Sequence, residues 1–274
     1  MQYDIIVTPK DIIRRQIMTN KEILDIAFKQ SAADLNCSAS DFTKSKNVIV
    51  HSEKNENARI YLELPFICDL VSYGSNIVAS AVPEVEDAVM EYLKKTDTAH
   101  AFETPSIYLL NEALKDHNAA VCFMAEYWLP DLSILKPLPI NYETKVLHHE
   151  DFKDLYLPEW SNALCEKRSY ADVLGVGAYD NGKLIGLAGC SADCRDMWQI
   201  GIDVLPEYRR QGIASALTSR LALEIIDHGK VPFYCCAWCN IRSARNAIKS
   251  GFRPAWNEMT VKSNEYIDKT NGIT

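Results

Sequence analysis

The chain has 274 residues, of which 47% are hydrophobic and 24% charged, and its formal net charge is −8. That suits one large or two modest globular domains, and without a run of 18 apolar residues or a leader-like start at Met1–Asp4 the expectation is a cytoplasmic protein with no membrane span. Residues 1–141 carry 13 Lys and Arg against 20 Asp and Glu, residues 142–274 carry 16 against 17, and so acidic a front half disfavours a nucleic-acid partner.

In chain order, Asn20 is placed to cap a helix through Ile23 and Ala27 toward Ala33. Val48–Val50 and the alternating stretch Ala58–Leu64 predict strands. Two more, Phe66–Val71 and Ile77–Val82, flank the turn chemistry of 72–76. Pro83 suits a first helical turn, and Val85, Val89, Tyr92 and Leu93 make a helical stripe behind it. Thr104-Pro105 opens another helix through Leu110 and Leu114, and Ala119–Trp128 reads as a strand. Three prolines between Pro130 and Pro139 mark an extended connector.

Beyond the connector a helical stretch is expected at about 150–170. Leu174–Tyr179 and Leu184–Cys190 then form a hairpin around Asp180-Asn181-Gly182-Lys183. Met197–Leu205 is rich in strand formers and stops at Pro206-Glu207. Ile213, Leu217, Leu221 and Ile225 recur at helical spacing. Between them Arg209-Arg210-Gln211-Gly212-Ile213-Ala214 makes a small turn at a helix N-terminus, where several N–H groups lack helical acceptors and the dipole adds positive charge. This is a site for an anion the size of a pyrophosphate. A last strand, Val231–Cys239, leads to a helix begun by Asn240 and ended at Gly251-Phe252.

The order strand, Pro-Glu-Tyr-Arg, xxGxA, helix resembles motif A of the GNAT superfamily, the acetyl-CoA-dependent N-acetyltransferases. Asn240, Gly251 and Phe252 match that family's motif B. The resemblance covers roughly 142–262, and the architecture as a whole is similar to zwittermicin-resistance-type GNATs, which carry an extra α/β half in front. The expected fold is therefore α/β (α+β). A smaller α/β N-terminal domain at 1–140 shapes the acceptor cleft, and a GNAT domain at 141–266 has a mixed, mostly antiparallel sheet flanked by helices. Residues 267–274 form a tail.

The resemblance implies acetyl-CoA as co-substrate and a small-molecule amine as acceptor. It assigns the pyrophosphate to the amides of Arg209, Arg210, Gln211, Gly212, Ile213 and Ala214. The pantetheine arm falls to the strand edge at Ile202 and Val204, with the Ile202 amide on the acetyl carbonyl, and to Asn240. Neutralising an amine with a pKa of about 10.4 at pH 7 costs roughly 4.6 kcal/mol, so a proton acceptor is required. Where the family often has a glutamate this chain has Trp198, and where it often has a tyrosine it has Ala247. Asp203, Asp193 and Ser243 are the candidate catalytic substitutes; Glu126 could reach over from the front half. With both family positions replaced, a non-catalytic acyl-CoA-binding sensor or scaffold is the alternative, and protein or peptide N-acetylation a third reading. Nine cysteines form no regular framework. The pairs Cys190/Cys194 and Cys236/Cys239 sit on or beside strands, which favours reduced thiols over zinc ligands, and no metal is expected. The sequence leaves the acceptor's identity and the oligomeric state open.

Overall fold

A computed structural model describes residues 18–273; the start at Met1–Asp4 lies outside them. The elements are α1 (Asn20–Leu35), β1 (Val48–His51), β2 (Cys68–Ser72), β3 (Val78–Ala81), α2 (Pro83–Lys95), α3 (Thr104–Leu114) and β4 (Ala119–Pro130). After the connector come β5 (Glu143–His148), β6 (Asp172–Asp180), β7 (Lys183–Ser191), β8 (Met197–Val204), α4 (Ile213–Asp227), β9 (Val231–Ala237), α5 (Ile241–Lys249), β10 (Phe252–Ser263) and α6 (Asn264–Thr270).

The helices form where local chemistry supports them. Thr19, one residue before the expected cap, closes α1 in a reciprocal capping box with Glu22. Pro83 is the first residue of α2, which starts acidic at Glu84 and Glu86, ends on Lys94 and Lys95, and buries Val85, Val89, Tyr92 and Leu93. In α4 the buried stripe is Ile213, Leu217, Leu221 and Ile225. The β6–β7 turn is made by Asn181 and Gly182, both at positive φ (49° and 83°), as a two-residue hairpin requires.

Ten strands form one sheet in the order β1-β3-β2-β10-β4-β9-β8-β7-β6-β5. Every pairing is antiparallel except β1 with β3 and β8 with β9. The chain returns at its end to lay β10 between β2 and β4, and β4 pairs in turn with β9, so strands from both sides of the connector share one sheet. The connector itself runs without strand or helix from Asp131 to Tyr142. One core packs α4 against β6–β9, and another packs α2 and α3 against β2, β3 and β10. Among the described residues no helix is long and apolar enough to cross a membrane.

Two expected elements are absent. Residues 58–64 are turns, not a strand, because their polar groups are taken up one at a time. The Arg59 amide donates to Asp34 Oδ1, the Ile60 amide to the Asp193 carbonyl, and the Leu62 amide back to Arg59. The alternation signalled burial of a different kind: Arg59 is 3% exposed, and its guanidinium pairs with Asp34 at 2.6 Å and Glu258 at 3.0 Å. The stretch 150–170 is three short 3-10 turns, His149–Phe152, Pro158–Trp160 and Glu166–Ala171. Pro158 lacks an N–H and holds Leu157 extended, which interrupts a helix there.

Candidate functional site

The parallel pair β8–β9 stays in register only at Met197/Val231, Trp198/Pro232 and Gln199/Phe233. Beyond Gln199 the two strands part, while β8 keeps its ladder to β7 as far as Val204 and β9 keeps its ladder to β4 as far as Ala237. The sheet is therefore split between residues 200–204 and 234–237. The Leu205 amide donates to the Ile185 carbonyl. By antiparallel alternation the polar groups of Ile202 and Val204 then point away from β7, into the split. Arg209 folds back and donates from Nε to the Val204 carbonyl at 2.9 Å, which leaves that edge the Ile202 amide and carbonyl and the Val204 amide.

At the open end of the split the chain turns through Pro206–Tyr208 into α4. Arg210 and Gly212 take left-handed conformations, φ 65° and 85°, which gather successive amides into a concavity. Among the described residues the amides of 210–215 have no acceptor, and the first bond of the helix runs from Ala216 to the Gly212 carbonyl. Six orphan donors at a helix N-terminus, flanked by two arginines, fit a diphosphate. Tyr142 donates to Gln211 Oε1 at 2.7 Å and fixes the turn from the connector side.

On the other lip, Asn240 caps α5, its Oδ1 accepting from the Ser243 amide at 3.2 Å, and its Nδ2 has no acceptor among the described residues. The Ser243 and Tyr234 hydroxyls are 2.7 Å apart. Burial pushes the Tyr234 phenol up, against the hydrogen bond to Ser243. Tyr234 is the first β9 residue past the last β8 pairing, so it stands at the closed end of the split, where the two strands begin to part. The register puts Trp128 opposite Tyr234 and Glu126 opposite Cys236, which places Glu126 on the same sheet face as Tyr234.

The two aspartates lie on the opposite face. Asp203 accepts from the Asn162 amide (2.8 Å), the Ala163 amide (3.0 Å) and the Asn162 side chain (2.7 Å), so both of its oxygens are engaged. The loop they hold lies flat on the sheet. A Cβ on Gly201 would fall 1.8 Å from the Asn162 carbonyl oxygen, and one on Gly189 2.2 Å from that of Ala163. Asp193 is fully buried, with Arg168 Nε at 3.4 Å; burial pushes its carboxyl up, against the pull of that guanidinium. The Arg168 and Arg59 guanidiniums each lie 5.3 Å from the Tyr61 ring centre, and Gln199 donates to Cys235 Sγ at 3.1 Å. Thus the structure brings Ile202, Val204, Gly212, Asn240 and Ser243 to the rim of one split. It places Asp203 under a loop and Asp193 in a buried ion pair. The Tyr234–Ser243 pair was not legible as a unit, since nine residues and a strand-to-helix turn separate the partners.

Among the described residues no three His, Cys, Asp or Glu side chains group as metal ligands. A family model for GNAT acetyltransferase matches residues 75–257. No curated protein matches the chain. Among solved structures, a GCN5-related N-acetyltransferase-like protein from Streptococcus suis is 20% identical over 56% of this chain and 69% of its own, with a TM-score of 0.41. An acetyltransferase of the GNAT family from Colwellia psychrerythraea is 17% identical over 56% of this chain and 60% of its own (TM-score 0.43). A tandem GNAT protein from the clavulanic acid biosynthesis pathway is 14% identical over 56% of this chain and 57% of its own (TM-score 0.40). The chain thus spans between 57% and 69% of the length of these three.

Proposed function

The chain belongs to the GNAT acetyltransferase family, and from that membership we propose that it transfers an acetyl group from acetyl-CoA to the amine of a small-molecule acceptor by direct attack on the thioester. The observation that carries this reading is the split between β8 and β9 ending at the orphan amides of 210–215. An extended arm fits between the strands, and its diphosphate fits the turn.

Acetyl-CoA supplies an acyl group already activated as a thioester. The chain's part is to align and stabilise. The amides of 210–215 hold the diphosphate, and the free edge at Ile202 and Val204 takes the arm as an added strand. The Ile202 amide donates to the acetyl oxygen and stabilises the negative charge that develops there. Asn240 Nδ2 donates to the arm from the other lip. Ser243 and Tyr234 provide a hydroxyl donor for the departing thiolate, a role the family often gives to the position held here by Ala247. Asp203 acts as a positioning residue: it pins Asn162–Ala163 across Gly201 and so sets one wall of the acceptor space. We assign the front half, through β4 and Glu126, to the other wall. The location in this reading is cytoplasmic.

The second reading is an acyl-CoA-binding sensor without turnover, favoured by Trp198 and Ala247 at two positions where the family often has proton-transfer residues. A free-thiol assay with acetyl-CoA and a broad amine panel separates the two. Thiol release that depends on an amine and continues past one equivalent of protein supports the enzyme. Tight acetyl-CoA binding with no release from any amine overturns it in favour of the sensor. The protein's own exposed Cys239 sets a constant background that is subtracted.

A further inference from the structure

On the face of the sheet that carries Gly201 and Asp203, one row of residues crosses the closed end of the split. Tyr127 of β4 is opposite Cys235 of β9, and Gln199, the last β8 residue paired with β9, is opposite Ser191 of β7. Gln199 ties the row together by donating to Cys235 Sγ. Above it the two halves of the chain meet. The Ile60 amide donates to the Asp193 carbonyl, and the guanidiniums of Arg59 and Arg168 each lie 5.3 Å from the Tyr61 ring centre.

The two arginines are used differently. Arg59 is buried and saturated: its Nε donates to Asp34, one terminal nitrogen to the Tyr61 hydroxyl and the other to Glu258. Arg168 comes from the same loop as Asn162 and Ala163, the wall that Asp203 holds, and sits at a break in its 3-10 turn (φ −130°, ψ 37°). Its Nε lies 3.4 Å from Asp193 Oδ1, and its side chain is 31% exposed. Among the described residues its two terminal nitrogens have no acceptor. Asp193 is completely buried, and neither of its oxygens accepts a hydrogen bond. Such a group is costly to bury, and what it achieves here is to fix a guanidinium whose fork stays open. Asp172, the other acid acting on Arg168, is occupied by the Cys165 amide and the Ser191 hydroxyl.

An open guanidinium fork matches a planar carboxylate through two parallel N–H donors. With Asp193 and Asp172 both in electrostatic reach of Arg168, a monoanion is favoured over a dianionic phosphate ester. Ile202, whose amide is read on the acetyl oxygen, is three residues along β8 from Gln199, a rise of about 10 Å. A small acceptor with its amine at the thioester therefore has its far end at the row. We propose that the acceptor is an amino acid whose carboxylate is bound by Arg168, with Asp193 and Tyr61 positioning the guanidinium. The proposal rests on the acyl-transfer reading and names its substrate class. It gives the front half a part in acceptor choice, since Tyr61 comes from that side of the connector.

Thiol release from acetyl-CoA tests this with L-amino acids, β-alanine and γ-aminobutyrate, each beside its carboxamide, for the wild type, Arg168→Gln and Arg168→Lys. Amidation lowers the basicity of an α-amine, so a preference for the acid does not come from easier deprotonation. The expected result is a wild-type kcat/KM at least about tenfold higher for the best acid than for its amide, the scale of one charge-assisted pair. Arg168→Gln loses that preference through KM for the acid, and Arg168→Lys, which keeps the charge without the fork, retains only part of it. Calorimetry with acetyl-CoA checks the fold of both variants, with donor affinity expected within about twofold of the wild type; if Arg168→Gln fails there, the wild-type and Arg168→Lys ratios decide. Equal use of acids and amides, turnover confined to amines without a carboxylate, or a preference that Arg168→Gln leaves intact overturns this inference and leaves acyl transfer standing. If no amine of any kind releases thiol, the acyl-transfer reading itself falls and takes the inference with it.

Discussion

The reading proposed for Tyr234 gives it the part that the resemblance assigns to the position of Ala247. With Ala247 on α5, nothing from that position reaches the split, but Tyr234 projects from β9 and meets Ser243, 2.7 Å away, at the start of α5. If this pair protonates the departing thiolate, Tyr234→Phe lowers kcat about 100-fold, the lower range of general-acid contributions, and changes KM for acetyl-CoA by less than about threefold. Steady-state kinetics check it; an unchanged kcat removes Tyr234 from the proton path. Asp203 stands for the opposite case. Its position on the motif strand makes it a natural candidate from sequence, yet three donors from Asn162 and Ala163 occupy it. A partner 41 residues away across an irregular loop has no periodic signature, so sequence offers the carboxylate but not its employment.

At the scale of elements, the strand–turn–helix around Gly212 was legible because each part is dictated locally: strand formers, a proline stop, a glycine at φ 85° and a four-residue apolar repeat. The β6–β7 hairpin and the stripes of α2 and α3 were legible for the same reason. What misled was the use of non-local partners. Residues 58–64 alternate like a strand but serve to deliver Arg59 to Asp34 and Glu258. Residues 150–170 carry enough apolar residues for a helix but direct amides to Asp203 and Asp172. That loop depends on glycines beneath it. Gly201→Ala puts a methyl 1.8 Å from the Asn162 carbonyl oxygen, so the loop must lift. The expected outcome is a KM for the acceptor raised at least about tenfold, with the loss of wall contacts worth on the order of 1.4 kcal/mol, and an acetyl-CoA affinity that stays within about twofold. Equal losses for both substrates would show that the loop supports the donor side instead.

Across the whole molecule, one sheet ties the front half to the site. The return of β10 between β2 and β4 could not be read from sequence, since strand order is fixed by packing and not by periodicity. Asp131 joins the pieces at the connector. It accepts from the Ser133 hydroxyl and amide and from the Asn20 side chain at the start of α1, and pairs with Arg253 on β10. The Ser133 donors, then Asn20 and Arg253, hold its carboxyl down at about 2. A carboxylate lowered in the folded state stabilises fully above its unfolded value of about 3.9, and that contribution fades as pH falls toward 2. Asp131→Asn is therefore expected to lower stability by about 1–3 kcal/mol at pH 7 and to lose less than the wild type between pH 4 and 2. Urea unfolding across that range measures it, and parallel pH profiles would contradict the assignment. Donor binding in the split beside the orphan amides is checked by calorimetric titration of the purified chain with acetyl-CoA, with ATP as comparator and Gly212→Trp as control. One micromolar site, selective for acetyl-CoA and lost in the variant, is expected; no saturable heat, or binding that Gly212→Trp leaves intact, would overturn the proposed donor site.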